Sequence, residues 1–103
     1  MTERTAFVLR VRADKIEEYV RAHEQVWPEM LEALRGAGIH NYTIFRDGDR
    51  MFGYFEADDL AAAGRYLARQ DVSTRWQDAM AELLMERVPD GGPPALEEIF
   101  RLD

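Results

Sequence analysis

The sequence predicts an α+β domain of the ferredoxin-like, split βαβ kind, and three observations carry that prediction. The elements read from the pattern run in the order β-α-β-β-α(α)-β. Asp47-Gly48 sits between two strand-like runs, where a dipeptide that accepts positive φ closes a tight antiparallel hairpin. The first three strand candidates carry apolar residues on both sides, so both faces of the sheet need a cover.

Residues 5–12 alternate Phe7, Leu9 and Val11 with Ala6, Val8 and Arg10, which makes the first strand. Asp14 is placed to cap a helix, with Glu17 three residues on. Ile16, Tyr19, Val20, His23, Trp27, Met30, Leu31 and Leu34 then keep helical spacing until Gly36 and Gly38 stop it. Pro28 either kinks this helix or starts a new one, because proline lacks an amide donor and restricts the residue before it. Residues 39–46 and 50–57 form the hairpin strands. Asp58 or Asp59 opens a helix through about Arg69. Asp71 or Ser73 opens another through about Met85, with Trp76, Met80, Leu83 and Leu84 inward. Pro89 to Pro94 reads as a loop, and Ala95 to Leu102 as a last strand. Helices on one side leave the opposite sheet face open, with Phe7, Tyr42, Ile44, Phe52 and Tyr54 as candidates for it, and sheet-to-sheet pairing of two copies would cover it.

Composition narrows the function. A chain of 103 residues with 47% hydrophobic content and no repeat or linker reads as one domain over residues 1–103. Thirteen Lys and Arg against 20 Asp and Glu give a formal charge of −7, which repels phosphate backbones, so no nucleic-acid partner is expected. Without cysteine there is no disulfide, thiolate nucleophile or thiolate metal site, in keeping with a reducing compartment. Met1-Thr2-Glu3-Arg4 runs straight into Phe7-Val8-Leu9 with neither a secretory pattern nor a membrane span, so the expectation is a soluble, cytoplasmic protein.

The chemistry centres on His23. Tyr19 lies one helical turn before it and Trp27 one turn after, so a phenol, an imidazole and an indole share one stripe. Imidazole can give and take a proton near neutral pH, and the flanking rings offer stacking surface. Ordinary packing, with the imidazole bonded to a backbone group or carboxylate, fits the same pattern, and Trp27 beside Pro28 reads as structural. His40 opens a strand as a surface residue, on the same side as Tyr42 and Ile44 by simple alternation. Trp76 suits a core position and Gln77 a solvated one. His23-Glu24 lacks the second histidine of a zinc-binding His-Glu-x-x-His, so no metal is expected. Neither a Gly-rich phosphate loop nor a Gly-x-Ser-x-Gly turn occurs. Glu17-Glu18 and Glu97-Glu98 read as solvated faces. The residues by themselves thus lead to a small, cofactor-free proton-transfer or binding domain.

Five segments taken together reach further: Ala6-Phe7-Val8, Glu18-Tyr19-x3-His23-x3-Trp27-Pro28-Glu29, Gly38-x-His40-Asn41-Tyr42, Asp71-Val72-x2-Arg75-Trp76 and Leu96-Glu97-Glu98-Ile99-Phe100. In this order and at these separations the chain resembles the L-rhamnose mutarotase family over nearly its whole length. The resemblance implies a dimeric α+β barrel, in which two ferredoxin-like sheets of a homodimer pack face to face. It implies interconversion of the α and β anomers of a free deoxy sugar without a cofactor. The family's proton donor falls on His23, and its sugar-binding positions on Tyr19, Tyr42, Trp76 and Gln77. Gln77 stands where the best-known members carry a second tryptophan, and an amide bonds a sugar hydroxyl where an indole would stack. The implied mechanism has His23 protonating the ring oxygen while a water or Tyr19 takes the proton of the anomeric hydroxyl. Rival readings are an L-fucose mutarotase, a cofactor-free monooxygenase or haem-degrading protein of the same barrel architecture, and a non-catalytic binding domain.

Overall fold

The computed structural model describes residues 2–89 and 92–103; Asp90 and Gly91, in the segment read as a loop, lie outside the described residues. The hairpin fixes the sheet. Gly48 takes φ 61°, which a side chain would resist, and joins β2 (His40–Asp47) to β3 (Arg50–Ala57). Arg50 reaches back to Asp47 at 2.9 Å, and Arg46 Nε donates to the Gly48 carbonyl at 3.1 Å. β1 (Glu3–Arg10) pairs antiparallel with the other side of β3, so the sheet has three strands in the order β1-β3-β2.

One irregularity changes the phase of β2. His40 pairs with Glu56 and Thr43 with Tyr54, so three steps along β2 match two along β3, and Asn41 takes φ 51° inside this bulge. Simple alternation would put His40, Tyr42 and Ile44 on one face. The extra residue instead leaves His40 on the outer face, beside Glu56, while Tyr42 keeps the phase of Ile44 on the helix side. The set expected on the open face therefore needs correction: Phe7, Tyr42 and Ile44 face the helices, whereas Val8, Phe45 and Phe52 line up on the outer face with Tyr54. Phe45 is 66% exposed there.

The helices follow local chemistry more closely than their predicted caps. α1 (Ile16–Glu24) starts after Lys15, not after Asp14, and has no side-chain cap. Pro28 starts a separate helix, α2 (Pro28–Gly36), because its missing amide costs nothing at the first helical position and Trp27 before it stays extended. α3 (Leu60–Ala68) is capped by Asp59, whose Oδ1 accepts from the Ala62 amide at 3.0 Å, and Glu3 accepts from the Leu60 amide at 2.8 Å. α4 (Asp71–Ala81) starts after Gln70, so neither Asp71 nor Ser73 is its cap. It ends before Met85, because residues 83–85 turn into main-chain bonds with Arg10 and Arg12. Among the described residues no helix is long and apolar enough to cross a membrane.

The last strand is a second correction: residues 95–102 form none. One main-chain bond, from the Leu96 amide to the Ala6 carbonyl at 2.8 Å, and an Arg4–Glu98 ion pair at 2.6 Å lay this tail beside β1. The physical reason lies in its apolar side chains. Ile99, Phe100 and Leu102 are exposed, since a single chain has no layer to put over them.

The core fills the space between the helices and the inner sheet face, where Met51 clusters with Tyr19, Met30, Leu67, Trp76 and Met80, and buried Phe7 meets Tyr42 and Phe55. Phe7 lies across Gly53, its partner on β3, and a Cβ at that position would run into the Phe7 ring. We therefore expect Gly53→Ala to destabilise the fold by about 1–3 kcal/mol, the usual range for an overfilled core, lowering Tm in a thermal melt. Pairing it with Phe7→Leu should recover part of the loss; two additive penalties would refute the steric cause.

Candidate active site

Folding brings the sequence-marked residues to one place. α1 carries Tyr19 and His23, the bulged start of β2 carries Tyr42, and α4 carries Trp76 and Gln77. A cavity of about 650 Å³ opens between the inner sheet face and helices α2, α3 and α4. His23, Tyr42, Trp76 and Gln77 line both it and a smaller recess that it adjoins, while Tyr19 lines the recess alone. Met30, Leu34, Leu60 and Leu67 give the larger chamber an apolar wall.

The state of His23 follows from one contact. Its Nδ1 lies 2.8 Å from the carbonyl oxygen of Tyr19, one turn back along α1. A carbonyl only accepts, so Nδ1 carries the hydrogen and Nε2 of the neutral ring is left as an acceptor without a partner among the described residues. Burial lowers the His23 pKa below its usual value, and the bond to the carbonyl only partly offsets this. At neutral pH the imidazole is therefore uncharged, with a lone pair on Nε2.

Aromatic rings hold that imidazole in place. Tyr19 lies against it with 4.3 Å between ring centres, and Trp76 meets it edge-on at 5.5 Å. Trp27 in turn meets Trp76 edge-on at 5.1 Å and lines neither cavity, which gives it the structural role expected of it. Tyr42 stacks on Phe55 at 5.0 Å. Although 38% exposed, Tyr42 opens onto the cavity, where protein walls still desolvate its phenol.

Burial pushes the Tyr19 phenol up to about 12. It raises Tyr42 as well, with a further contribution from Tyr19. Both phenols thus stay protonated near neutral pH and are able to donate hydrogen bonds. A phenol raised in this way makes Tyr19 a poor base.

Gln77 is half-buried on the cavity wall instead of solvated, and its amide has no hydrogen-bond partner among the described residues. His40 stays outside, exposed, with Nε2 3.5 Å from Glu56. Two small polar residues that sequence reasoning passed over, Thr5 and Ser73, also line the chamber. For Ser73 the signal was present, since it stands one helical turn before Gln77. Among the described residues no three acidic or histidine side chains group as a metal site would need.

This arrangement suits proton transfer on a small polyol: one neutral imidazole, two phenol donors, a free amide and ring faces for stacking. The model of the L-rhamnose mutarotase family matches residues 4–102. The L-rhamnose mutarotase of Bacillus subtilis is 42% identical over 105 residues, covering 98% of this chain and 99% of that one. The L-rhamnose mutarotase of Burkholderia orbicola is 43% identical over 107 residues, with the same coverage of each chain. The crystal structure of L-rhamnose mutarotase from Formosa agariphila superposes with a TM-score of 0.76 at 30% identity, covering 98% of this chain and 99% of that one. A match of this extent in sequence and fold shows that the chain belongs to the L-rhamnose mutarotase family.

Proposed function

We propose that this chain interconverts the α and β anomers of free L-rhamnose, and that His23 moves the proton. The observation that carries the reading is the bond from Nδ1 to the Tyr19 carbonyl, which leaves a lone pair on Nε2 of a residue that lines the cavity. The two oxygens that exchange a proton in ring opening, the anomeric hydroxyl and the ring oxygen, are attached to the same carbon. One nitrogen can serve both in turn.

Nε2 takes the hydrogen of the anomeric hydroxyl as the C=O bond forms. The bond from the anomeric carbon to the ring oxygen breaks, and that oxygen receives the proton from the imidazolium. The open aldehyde rotates about its bond to C2. Reclosure returns the hydroxyl proton to Nε2 and then to the new anomeric oxygen, leaving imidazole unchanged. His23 thus remains the proton donor to the ring oxygen, and the separate base expected beside it is unnecessary. Tyr19 and Tyr42 donate hydrogen bonds to sugar oxygens, Tyr42 and Trp76 bound the apolar sugar face and methyl group, and Gln77 bonds a hydroxyl.

Two copies would pair through their outer sheet faces. The exposed Val8, Phe45 and Phe52 support this, because they form a stripe across all three strands that water covers poorly. The cysteine-free composition suits a reducing cytoplasm.

His23→Ala should slow catalysed anomer exchange roughly 10²- to 10⁴-fold, measured by saturation-transfer NMR on L-rhamnose and L-fucose. Undiminished exchange in a folded variant would sink the role of His23, and preference for L-fucose would reassign the sugar. The pH profile has a definite sign. Because the neutral ring works and its pKa is lowered, the enzymatic rate, after subtraction of the background, should hold below the ordinary histidine pKa of about 6.5 and fall only on further acidification. A rate that instead rises on acidification would make the imidazolium the working form. Phe45→Asp should convert a dimer to a monomer in light scattering after gel filtration; an unaltered dimer would place the interface elsewhere.

A further inference from the structure

We propose that Ser73 is a sugar-binding residue, reading with Gln77 the hydroxyls remote from the anomeric carbon; this rests on the mutarotase reading and deepens its substrate contacts. Ser73 is 2% exposed and is the buried polar residue of the described core. Its amide donates to the Gln70 carbonyl at 3.0 Å, but its hydroxyl makes no hydrogen bond among the described residues. No polar side-chain atom there is both sealed off and unpartnered, so the little surface left to this hydroxyl opens into the chamber that Ser73 lines.

A hydroxyl in this position neither caps α4 nor binds the core. Open only toward the chamber, it is placed to bond a ligand hydroxyl, which can both give and accept. Its neighbours point the same way. Trp76 and Gln77 follow it by three and four residues, so all three share one side of α4. Ser73 lines the chamber but not the recess that holds Tyr19. A sugar with its anomeric carbon at His23 would therefore turn its far edge, the hydroxyls at C3 and C4, toward Ser73.

The test uses the full chain, with anomer exchange measured for L-rhamnose and its 2-, 3- and 4-deoxy analogues. Ser73→Ala should raise KM for L-rhamnose roughly two- to tenfold, the range for one neutral hydrogen bond, with kcat nearly unchanged. The penalty should disappear for the 3- or 4-deoxy analogue and persist for the 2-deoxy one, while Ser73→Thr, which keeps a hydroxyl, should restore most of the loss. Tm should not fall in Ser73→Ala, because no bond within the protein is lost. An unchanged KM, an equal penalty on every analogue, or a lowered Tm with parallel losses in kcat and KM would overturn the proposal. If the unmutated protein accelerates no sugar, the mutarotase reading fails first, and that is visible before any variant is made.

Discussion

The register of β2 on β3 is the constraint on which the site depends. The hairpin at Gly48 pins one end of β2 to β3, so the register at Phe45 and Phe52 is already fixed when the chain is traced back toward His40. Without the bulge the pleat would carry Tyr42 and His40 together. With it, the two residues part company: one enters the cavity and the other joins Glu56 on the outside. Asn41 tolerates the positive φ this requires and gives its side-chain amide to Glu56 at 3.0 Å, which ties the strained residue down. The same phase puts Phe45 on the outer face.

A second consequence concerns charge. The chain carries many ionised side chains, yet ion pairs such as Arg75 with Asp71 and Glu29, Arg87 with Asp78 or Arg50 with Asp47 sit at the exposed surface, where each adds little to stability. Around His23 the near neighbours are rings and a carbonyl. An adjacent carboxylate would hold the imidazole protonated; desolvation without one does the reverse. The same dry setting keeps both phenols neutral. In the proposed mechanism the site would meet its substrate with a lone pair and donors, not with fixed charges, which suits a substrate that is itself uncharged.

Much of this was legible in the sequence, for physical reasons that differ between elements. Asp47-Gly48 revealed the hairpin because few residues accept its backbone. Trp27-Pro28 revealed a break, although the pattern alone left a kink and a new helix equally open; Trp27 before the proline is extended, so a new helix starts there. The four-residue spacing of Tyr19 and His23 revealed their stacking, since helical geometry alone delivers it. What escaped was whatever depends on pairing between distant segments. The bulge has no local signature beyond an asparagine, so His40 was read on the face of Tyr42 and Ile44; which face of the sheet meets the helices is likewise set by packing and not by alternation. Gln77 looked solvated because its neighbours on α4 include exposed Arg75 and Asp78, and only the approach of the sheet and α2 makes its side a wall.

The tail shows the same limit from the other direction. Leu96, Ile99, Phe100 and Leu102 have strand-like composition, yet a strand gains little unless its side chains are covered. Beside β1 the tail finds one main-chain bond and one ion pair, but no apolar layer. Val8, Phe45 and Phe52 face an equivalent lack on the outer side of the sheet. Both surfaces are too apolar to be explained by the single chain, and both adjoin β1. Pairing through the outer faces would cover the sheet and supply a boundary for the tail at the same time. The cavity is also affected, because Pro93 and Ala95 at the start of that tail form part of its wall. Order in the tail, association of two copies and closure of the sugar site are in this view one problem, since the same short segment takes part in all three.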